Sequence, residues 1–189
     1  MLSFIKRQCY GRLNADTAKM LYNSVVRFHL EFACSVWLPR HDVHIQTFEK
    51  VQRQFVLYAN TDRYTILNDG TQHLRPYVDR SNELHLQSLA RRRVNAAVFF
   101  IHDVLTGKIN SQPLRDRITL YDGSRALRNP SLIRLATYRC DYLTNSLFNF
   151  ACRLFNFAAA HVDPTLSSRE FRQNVMELDD TVFSPFASC

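Results

Sequence analysis

Two pairs of side chains have the types and spacing that could do chemistry. His41 and His44 are close enough in sequence for both imidazoles to bind one zinc ion, but two ligands alone are not a zinc site. Asp179 and Asp180 resemble the paired aspartates that hold two metal ions in polymerases, yet they follow an acidic helix end rather than a hydrophobic strand. Catalytic triads, nucleophile elbows, Walker loops and Rossmann fingerprints do not occur. The sequence therefore predicts no catalytic residue, no metal site and no cofactor.

Three consecutive arginines, Arg91, Arg92 and Arg93, form the most concentrated group of positive charge. In a helix they span about 200° of the surface, because each residue turns it by about 100°, so one of them must approach the packed face. Two interpretations remain open. The arginines could form a solvated face whose aliphatic stems cover apolar surface, or their guanidinium groups could bind phosphates.

Positive charge is also unevenly distributed along the chain, whose net charge is +7. Residues 108–139 hold seven basic and two acidic residues, a net charge of +5, whereas residues 163–189 hold two arginines and five acids. Such a surplus permits a polyanionic partner. The predicted contacts to a nucleic-acid backbone are Arg91, Arg92, Arg93, Lys108, Arg125 and Arg128.

The composition is that of a globular helical protein. The 189 residues are 46% hydrophobic and include only 4 glycines, which argues against disorder and against a turn-rich β sandwich. The 5 cysteines are odd in number and widely spaced, which predicts reduced thiols in an intracellular protein, nuclear or cytoplasmic. The first residues do not form a signal peptide, and no stretch approaches the roughly 20 apolar residues of a membrane helix. We therefore expect neither secretion nor membrane insertion.

The stretch from Asn14 to Pro39 is the helix around which the rest is predicted to pack. Its apolar residues recur in steps of three and four, as on one broad face of an α-helix. They are Met20, Leu21, Val25, Phe28, Phe32, Val36 and Trp37. A second helix, capped by Asp42 and running from Val43 to Ala59, should form an antiparallel hairpin with it. Phe28, Phe32 and Trp37 are then expected to be mostly buried against the second helix.

The remaining pattern predicts further helices joined by irregular segments. Residues 60–80 are predicted as a loop, long enough for a helical turn of its own, and residues 82–105 as a helix that Gly107 ends in a left-handed conformation. Residues 132–138 fit either a short helix or a strand. Helices are also expected over 147–161 and from Ser167 or Ser168 to Met176. The predicted fold is an all-α helical bundle built on the hairpin, with one domain at 1–107 and an extension at 108–189 that packs on it and contains an irregular basic segment and a frayed acidic tail.

A series of short motifs occurs in a fixed order between residues 4 and 171. The motifs are Phe4-Ile5-Lys6-Arg7, Leu21-Tyr22-Asn23-Ser24-Val25-Val26-Arg27, Leu30-Glu31-Phe32, Val36-Trp37-Leu38-Pro39, Val51-Gln52-Arg53-Gln54-Phe55, Arg75-Pro76-Tyr77, Leu89-Ala90-Arg91-Arg92-Arg93, Phe100 to Ile109, Arg125-Ala126-Leu127-Arg128, Arg139-Cys140-Asp141-Tyr142, Phe155-Asn156 and Leu166 to Phe171.

This succession resembles the C-terminal region, comprising the thumb and a C-terminal extension, of reverse transcriptases from jockey-like non-LTR (LINE-type) retrotransposons. The sequence departs from that family where Tyr142 is followed by Leu143 instead of glycine, where Phe32 replaces tyrosine, and where the proline before Arg125 is absent. The resemblance implies that the catalytic palm and fingers lie outside this chain, whose first motif reads like the end of a longer element.

The resemblance implies a role without an activity. Thumb helices grip the template–primer backbone, so we expect non-specific binding of RNA or DNA, no polymerase activity, and no small-molecule substrate. The palm and fingers would be its partners in a longer polyprotein. The alternative is a structural remnant, or a domain recruited by the host for protein interaction, whose positive charge only reflects its ancestry.

Overall fold

The computed structural model describes residues 2–9, 14–34, 37, 39, 41–59, 64–66, 72–121, 132–144, 146–178 and 183. The protein is mostly helical, which confirms the all-α class. The helices are α1 (Leu2–Cys9), α2 (Ala15–Leu21), a π-helical turn (Tyr22–Arg27), α3 (Phe28–Glu31), α4 (Asp42–Ala59), α5 (Tyr77–Glu83), α6 (Leu89–Leu105), α7 (Gln112–Arg115), α8 (Asp141–Thr144), α9 (Leu147–Ala159) and α10 (Ser168–Glu177). The strands are β1 (Tyr64–Ile66), β2 (Gln72–Leu74), β3 (Thr119–Leu120) and β4 (Ile133–Arg134).

The chain divides into two compact units, each with its own apolar core. The first unit comprises Met1–Phe32 and Pro39–Arg92, and the second comprises Ala33–Leu38 and Arg93–Cys189. Tyr22, Phe55 and Val56 are fully buried in the first core, whereas Leu154, Phe155 and Phe171 are fully buried in the second. The boundary between the units falls inside α6, whereas the sequence predicts a boundary after Gly107.

A π-helical turn interrupts the first long helix. Ala18, Tyr22 and Val26 are buried and Leu30 packs against the same core, so the inward residues are spaced four apart. On a regular α-helix, side chains four residues apart differ in direction by about 40°, because each residue turns the helix by about 100°. The i→i+5 hydrogen bonds of the π turn increase the number of residues per helical turn. As a result, these four side chains stay on one face.

The apolar face predicted for this helix is wrong for most of its described members, although Leu21 does pack against the core, and Val36 lies outside the described residues. Met20 is 69% exposed, Phe28 57% and Phe32 62%, because the π turn places a different set of residues inward. The helix also ends earlier than predicted, at Glu31, and Ala33 adopts a left-handed conformation with φ of 51°. Trp37 is about one-third exposed (36%) and lies over the guanidinium group of Arg93.

Packing of the first long helix on α4 is confirmed. The rings of Tyr22 and Phe55 are stacked, with centroids 4.1 Å apart. The Tyr22 hydroxyl donates to Gln52 Oε1 at 3.1 Å, and Gln52 Nε2 donates to the Tyr77 hydroxyl and to the Gln87 carbonyl, both at 3.1 Å. Burial raises the pKa of Tyr22 above its usual range, so the hydroxyl keeps its proton. Helix α4 begins at Asp42, which is therefore its first residue and not its cap.

The helix predicted over 82–105 is confirmed only as α6, and the residues before α6 include the end of α5, which begins inside the predicted loop. Helix α5 ends at Glu83, and His85 takes a left-handed conformation with φ of 49° that lets Leu84 and Leu86 both turn into the core. The Ser81 hydroxyl donates to the Leu86 carbonyl at 2.7 Å, and the Leu86 amide donates to the Ser81 carbonyl at 3.0 Å. Burying both leucines at this corner breaks the helix that periodicity predicted.

Short antiparallel strands occur where the sequence predicted a loop or left the choice open. Strand β1 pairs with β2 inside the predicted loop, with Thr65 opposite His73. Strand β3 pairs with β4, with Leu120 opposite Ile133. Ile133 lies within the segment that fitted either a helix or a strand, and the structure makes it a strand.

The last two predicted helices are confirmed, as α9 and α10. Ser167 caps α10: its Oγ accepts from the Glu170 amide at 3.4 Å and donates to Glu170 Oε2 at 2.7 Å. Gly107 ends α6 in the predicted left-handed conformation, with φ of 79°.

Candidate nucleic-acid interface

The N-terminus of α6 fixes where the three arginines lie. Ser88 Oγ accepts from the Arg91 amide at 3.2 Å, and the carboxylate of Glu49 on α4 accepts from the Ala90 amide at 2.9 Å. Both acceptors satisfy first-turn amides that would otherwise lack partners, and the Glu49 charge suits the positive end of the helix. Helix α6 therefore begins at a defined residue, which sets the direction of each arginine.

Arg91 and Arg93 are buried, with only 4% and 1% of their surfaces exposed. The guanidinium carbon of Arg93 lies 5.4 Å from the centroid of the Trp37 ring, within the range of a cation–π contact. This contact lies within the second unit, to which Trp37 and Arg93 both belong. Because Arg91 and Arg93 are buried, neither a solvated face nor a side chain accessible to phosphate describes them.

Arg92 is the most exposed of the three and forms an ion pair. Its Nε and Nη2 both donate to the carboxylate of Glu31, with 2.9 Å between Nη2 and Oε2. The half-buried Arg27 lies near the same carboxylate, and burial, followed by the charge of Arg92, lowers the pKa of Arg27 below its usual range. Arg27 is a member of this cluster that sequence reasoning missed.

Lys108 lies beside a second charged cluster, in the second unit. Its Nζ is 3.9 Å from Asp103 Oδ1, while Arg172 on α10 donates to Asp103 Oδ2. Ser168 Oγ also donates to Asp103 Oδ1, at 3.4 Å. The Lys108 side chain is 56% exposed, so its charge is accessible to solvent. Sequence reasoning missed Arg172 because its partner is 69 positions away in the chain.

Arg125 and Arg128 lie outside the described residues, so their prediction as nucleic-acid contacts remains a prediction. Other arginines of the second unit are exposed, namely Arg117, Arg134, Arg139 and Arg169. Arg117, Arg134 and Arg139 belong to the basic segment at residues 108–139. Of the predicted residues that the structure describes, only Arg92 and Lys108 are accessible, and they belong to different units.

The histidine pair does not belong to a larger metal-binding cluster. His41 and His44 are exposed, and their ring centroids are 6.1 Å apart. Across the described part of the chain, no group of three or more His, Cys, Asp or Glu side chains could hold a metal ion. Asp179 and Asp180 lie outside it. Among the described helices, none is both long and apolar enough to span a bilayer.

Comparison of the chain with protein-family models, with curated proteins and with solved structures found no match in any of the three.

Proposed function

We propose that this chain is a helical domain that binds the nucleic-acid backbone without sequence preference and has no polymerase activity of its own. The ordered motifs that resemble the C-terminal region of jockey-like non-LTR reverse transcriptases support this proposal. In a longer polyprotein, the palm and fingers would complete the grip on a template–primer duplex. The net charge of +7 supports an anionic partner.

The observation that carries the proposal is the sharing of Asp103 by two cations. Lys108 and Arg172 both contact this one carboxylate, so their charges exceed that of their partner. Arg172 is held by its short contact, whereas Lys108 is 3.9 Å away and mostly exposed. A phosphate could therefore bind Lys108 without breaking the stronger pair. Arg92, which is partly exposed beside Glu31, is the second accessible contact among the predicted residues.

Binding through phosphates has a recognisable signature. Contacts to phosphates carry little sequence information, so affinity should be nearly independent of base sequence. We expect a Kd of roughly 10⁻⁴ to 10⁻⁶ M at physiological salt, which is typical of non-specific binding. Affinity should fall steeply with salt because binding releases counterions from the nucleic acid.

The experiment measures binding of an RNA–DNA hybrid at several salt concentrations, for the native chain and for Lys108→Gln. Loss of one phosphate contact should flatten the log–log salt slope by about one unit. Lys50→Gln is the matched control, since Lys50 is an exposed lysine on α4. An Arg91/Arg92/Arg93→Ala triple is a poor test, because two of its members are buried. Absence of binding at low salt would refute the proposal.

A second candidate function is protein interaction, which the exposed apolar side chains of the first unit favour. Phe28 and Phe32 lie with ring centroids 6.0 Å apart, and both are mostly exposed, as is Met20. Large exposed apolar groups of this kind are typical of interaction surfaces. A Phe28→Ser/Phe32→Ser variant that no longer binds a protein partner of the native chain, but still binds nucleic acid, would favour this candidate.

A further inference from the structure

A cleft in the second unit has features of a ligand site that the proposed function does not use. It has a volume of about 370 Å³ and lies between β4 with the residues after it and the start of α9. Its lining includes Ile133 and Cys152, which are almost fully buried, and Phe148, which is partly buried; we call these three apolar residues its floor. Arg117, Arg134 and Tyr138 are more exposed and line its opening. The volume falls at the lower end of the range for small-molecule sites.

The floor of the cleft is held in place by side chain to backbone hydrogen bonds. Asn156 on α9 accepts from the Ile133 amide and donates to the Ile133 carbonyl, both at 2.8 Å, as a neighbouring strand would. Asn149 donates to the Leu143 carbonyl at 3.0 Å, which ties α9 to α8. These bonds hold β4 and the start of α9 in place before any ligand binds. A preformed site of this kind lowers the entropic cost of binding.

The charge of the cleft selects the kind of ligand. Among the described residues that line the cleft, Arg117 and Arg134 carry the charge, and neither forms an ion pair with another described residue. Two guanidinium groups beside an apolar floor fit a molecule with an anionic end and a flat apolar body. Tyr138 offers a ring on which such a body can stack.

We propose that this cleft binds a small anionic molecule that carries a planar ring, of the size and chemistry of a nucleoside monophosphate. The phosphate contacts Arg117 and Arg134, and the ring packs against Tyr138, Phe148 and the floor. The site binds and does not react with its ligand. Burial raises the pKa of the Cys152 thiol to about 11, so this side chain stays protonated and is not a nucleophile. This inference does not depend on the proposed binding of a nucleic-acid backbone.

The experiment titrates the full chain with AMP, followed by calorimetry and by backbone amide chemical shifts. We expect a single site, with shifts concentrated at residues 117, 133–138 and 146–152. Arg134→Gln should weaken the Kd about tenfold, because it removes a charged hydrogen-bond donor. The melting temperature should not change, since Arg134 is exposed. Arg169→Gln, a change of an exposed arginine outside the cleft, should leave the Kd unchanged.

Adenosine and inorganic phosphate test the two parts of the ligand separately, and each should bind more weakly than AMP. Equal affinity for inorganic phosphate and AMP would overturn the proposal, as would a Kd that Arg134→Gln and Arg169→Gln change equally. A single-stranded oligonucleotide without a terminal phosphate distinguishes a free small molecule from a unit of a strand. If it displaced AMP with the same dependence on Arg134, the cleft would belong to the nucleic-acid interface and the small-molecule site would be refuted.

Discussion

The imidazole of His102 lies flat on the ring of Phe171, with centroids 4.1 Å apart and planes inclined by only 9°. This stack joins α6 to α10, and the Asp103–Arg172 ion pair joins the same two helices one residue further along α6. Both rings are almost fully buried. The attachment of α10 to α6 therefore combines an apolar contact involving a titratable ring with an adjacent charged pair.

Stability should decrease as the solution is acidified. Burial lowers the pKa of His102, although the neighbouring Asp103 carboxylate opposes this effect. A folded-state pKa below the unfolded value means that the unfolded chain binds the proton more readily, so stability rises with pH between the two values. The contribution is complete above the ordinary histidine pKa of about 6.5 and is lost as the pH falls from there toward the folded pKa.

This dependence can be measured as the melting temperature between about pH 8 and pH 5, across the ordinary histidine pKa. His102→Phe keeps a flat ring on Phe171 but cannot be protonated, so its melting temperature should fall less on acidification. Gln in place of the exposed His41 should leave the native pH dependence unchanged. An identical pH dependence in His102→Phe and the native chain would contradict the assignment to His102.

From the π turn we predict that Tyr22, and not Phe28, contributes to the stability of the core, which is the opposite of what helical periodicity predicts. Tyr22→Ala should destabilise the protein by about 3–5 kcal/mol, because Tyr22 is fully buried and stacked on Phe55. Phe28→Ala should change the free energy of unfolding by no more than about 0.5 kcal/mol, since Phe28 is mostly exposed. Denaturant unfolding of the two variants measures both values. A larger loss of stability for Phe28→Ala than for Tyr22→Ala would contradict the π turn and favour the regular α-helix that periodicity predicted.

Asp103→Asn should shift stability and nucleic-acid binding in opposite directions. It removes the carboxylate that holds Arg172, which should cost about 1–2 kcal/mol, a modest value because the arginine is partly exposed. It also removes the negative charge beside Lys108, so an RNA–DNA hybrid should bind more tightly and with a steeper salt dependence. Thermal unfolding and a salt series measure the two effects. Unchanged or weaker binding would show that Lys108 and Arg172 do not contact phosphates.

The chain should extend no primer. Given a primed template, nucleotides and magnesium or manganese, it should leave the primer unchanged, because the sequence has no carboxylate pair on a polymerase-like strand–turn–strand. A gel-based extension assay measures this, and a complete reverse transcriptase serves as the positive control. Extension that Asp179→Ala and Asp180→Ala abolish would contradict both this prediction and the interpretation of the chain as a fragment.

Local signals determined several elements correctly. Ser167 caps α10 by accepting from the Glu170 amide within one turn, so the start of α10 follows from four consecutive residues. Gly107 is the residue type that accepts a positive φ at low cost, so the end of α6 follows from its identity. Such signals act between neighbours in the chain, and the sequence alone contains them.

The sequence by itself thus determined the helical class, the start of α10 at Ser167, the end of α6 at Gly107 and the surplus of positive charge. Only the tertiary structure decided which helix faces turn inward and which charges remain accessible. Tyr22 turns inward because Phe55 and Gln52, some 30 positions later, receive it. The cleft beside Arg134 exists because Asn156, 23 positions from Ile133, fixes the strand that forms its wall. These outcomes depend on contacts between distant residues, and periodicity in a single helix has no information about its neighbours.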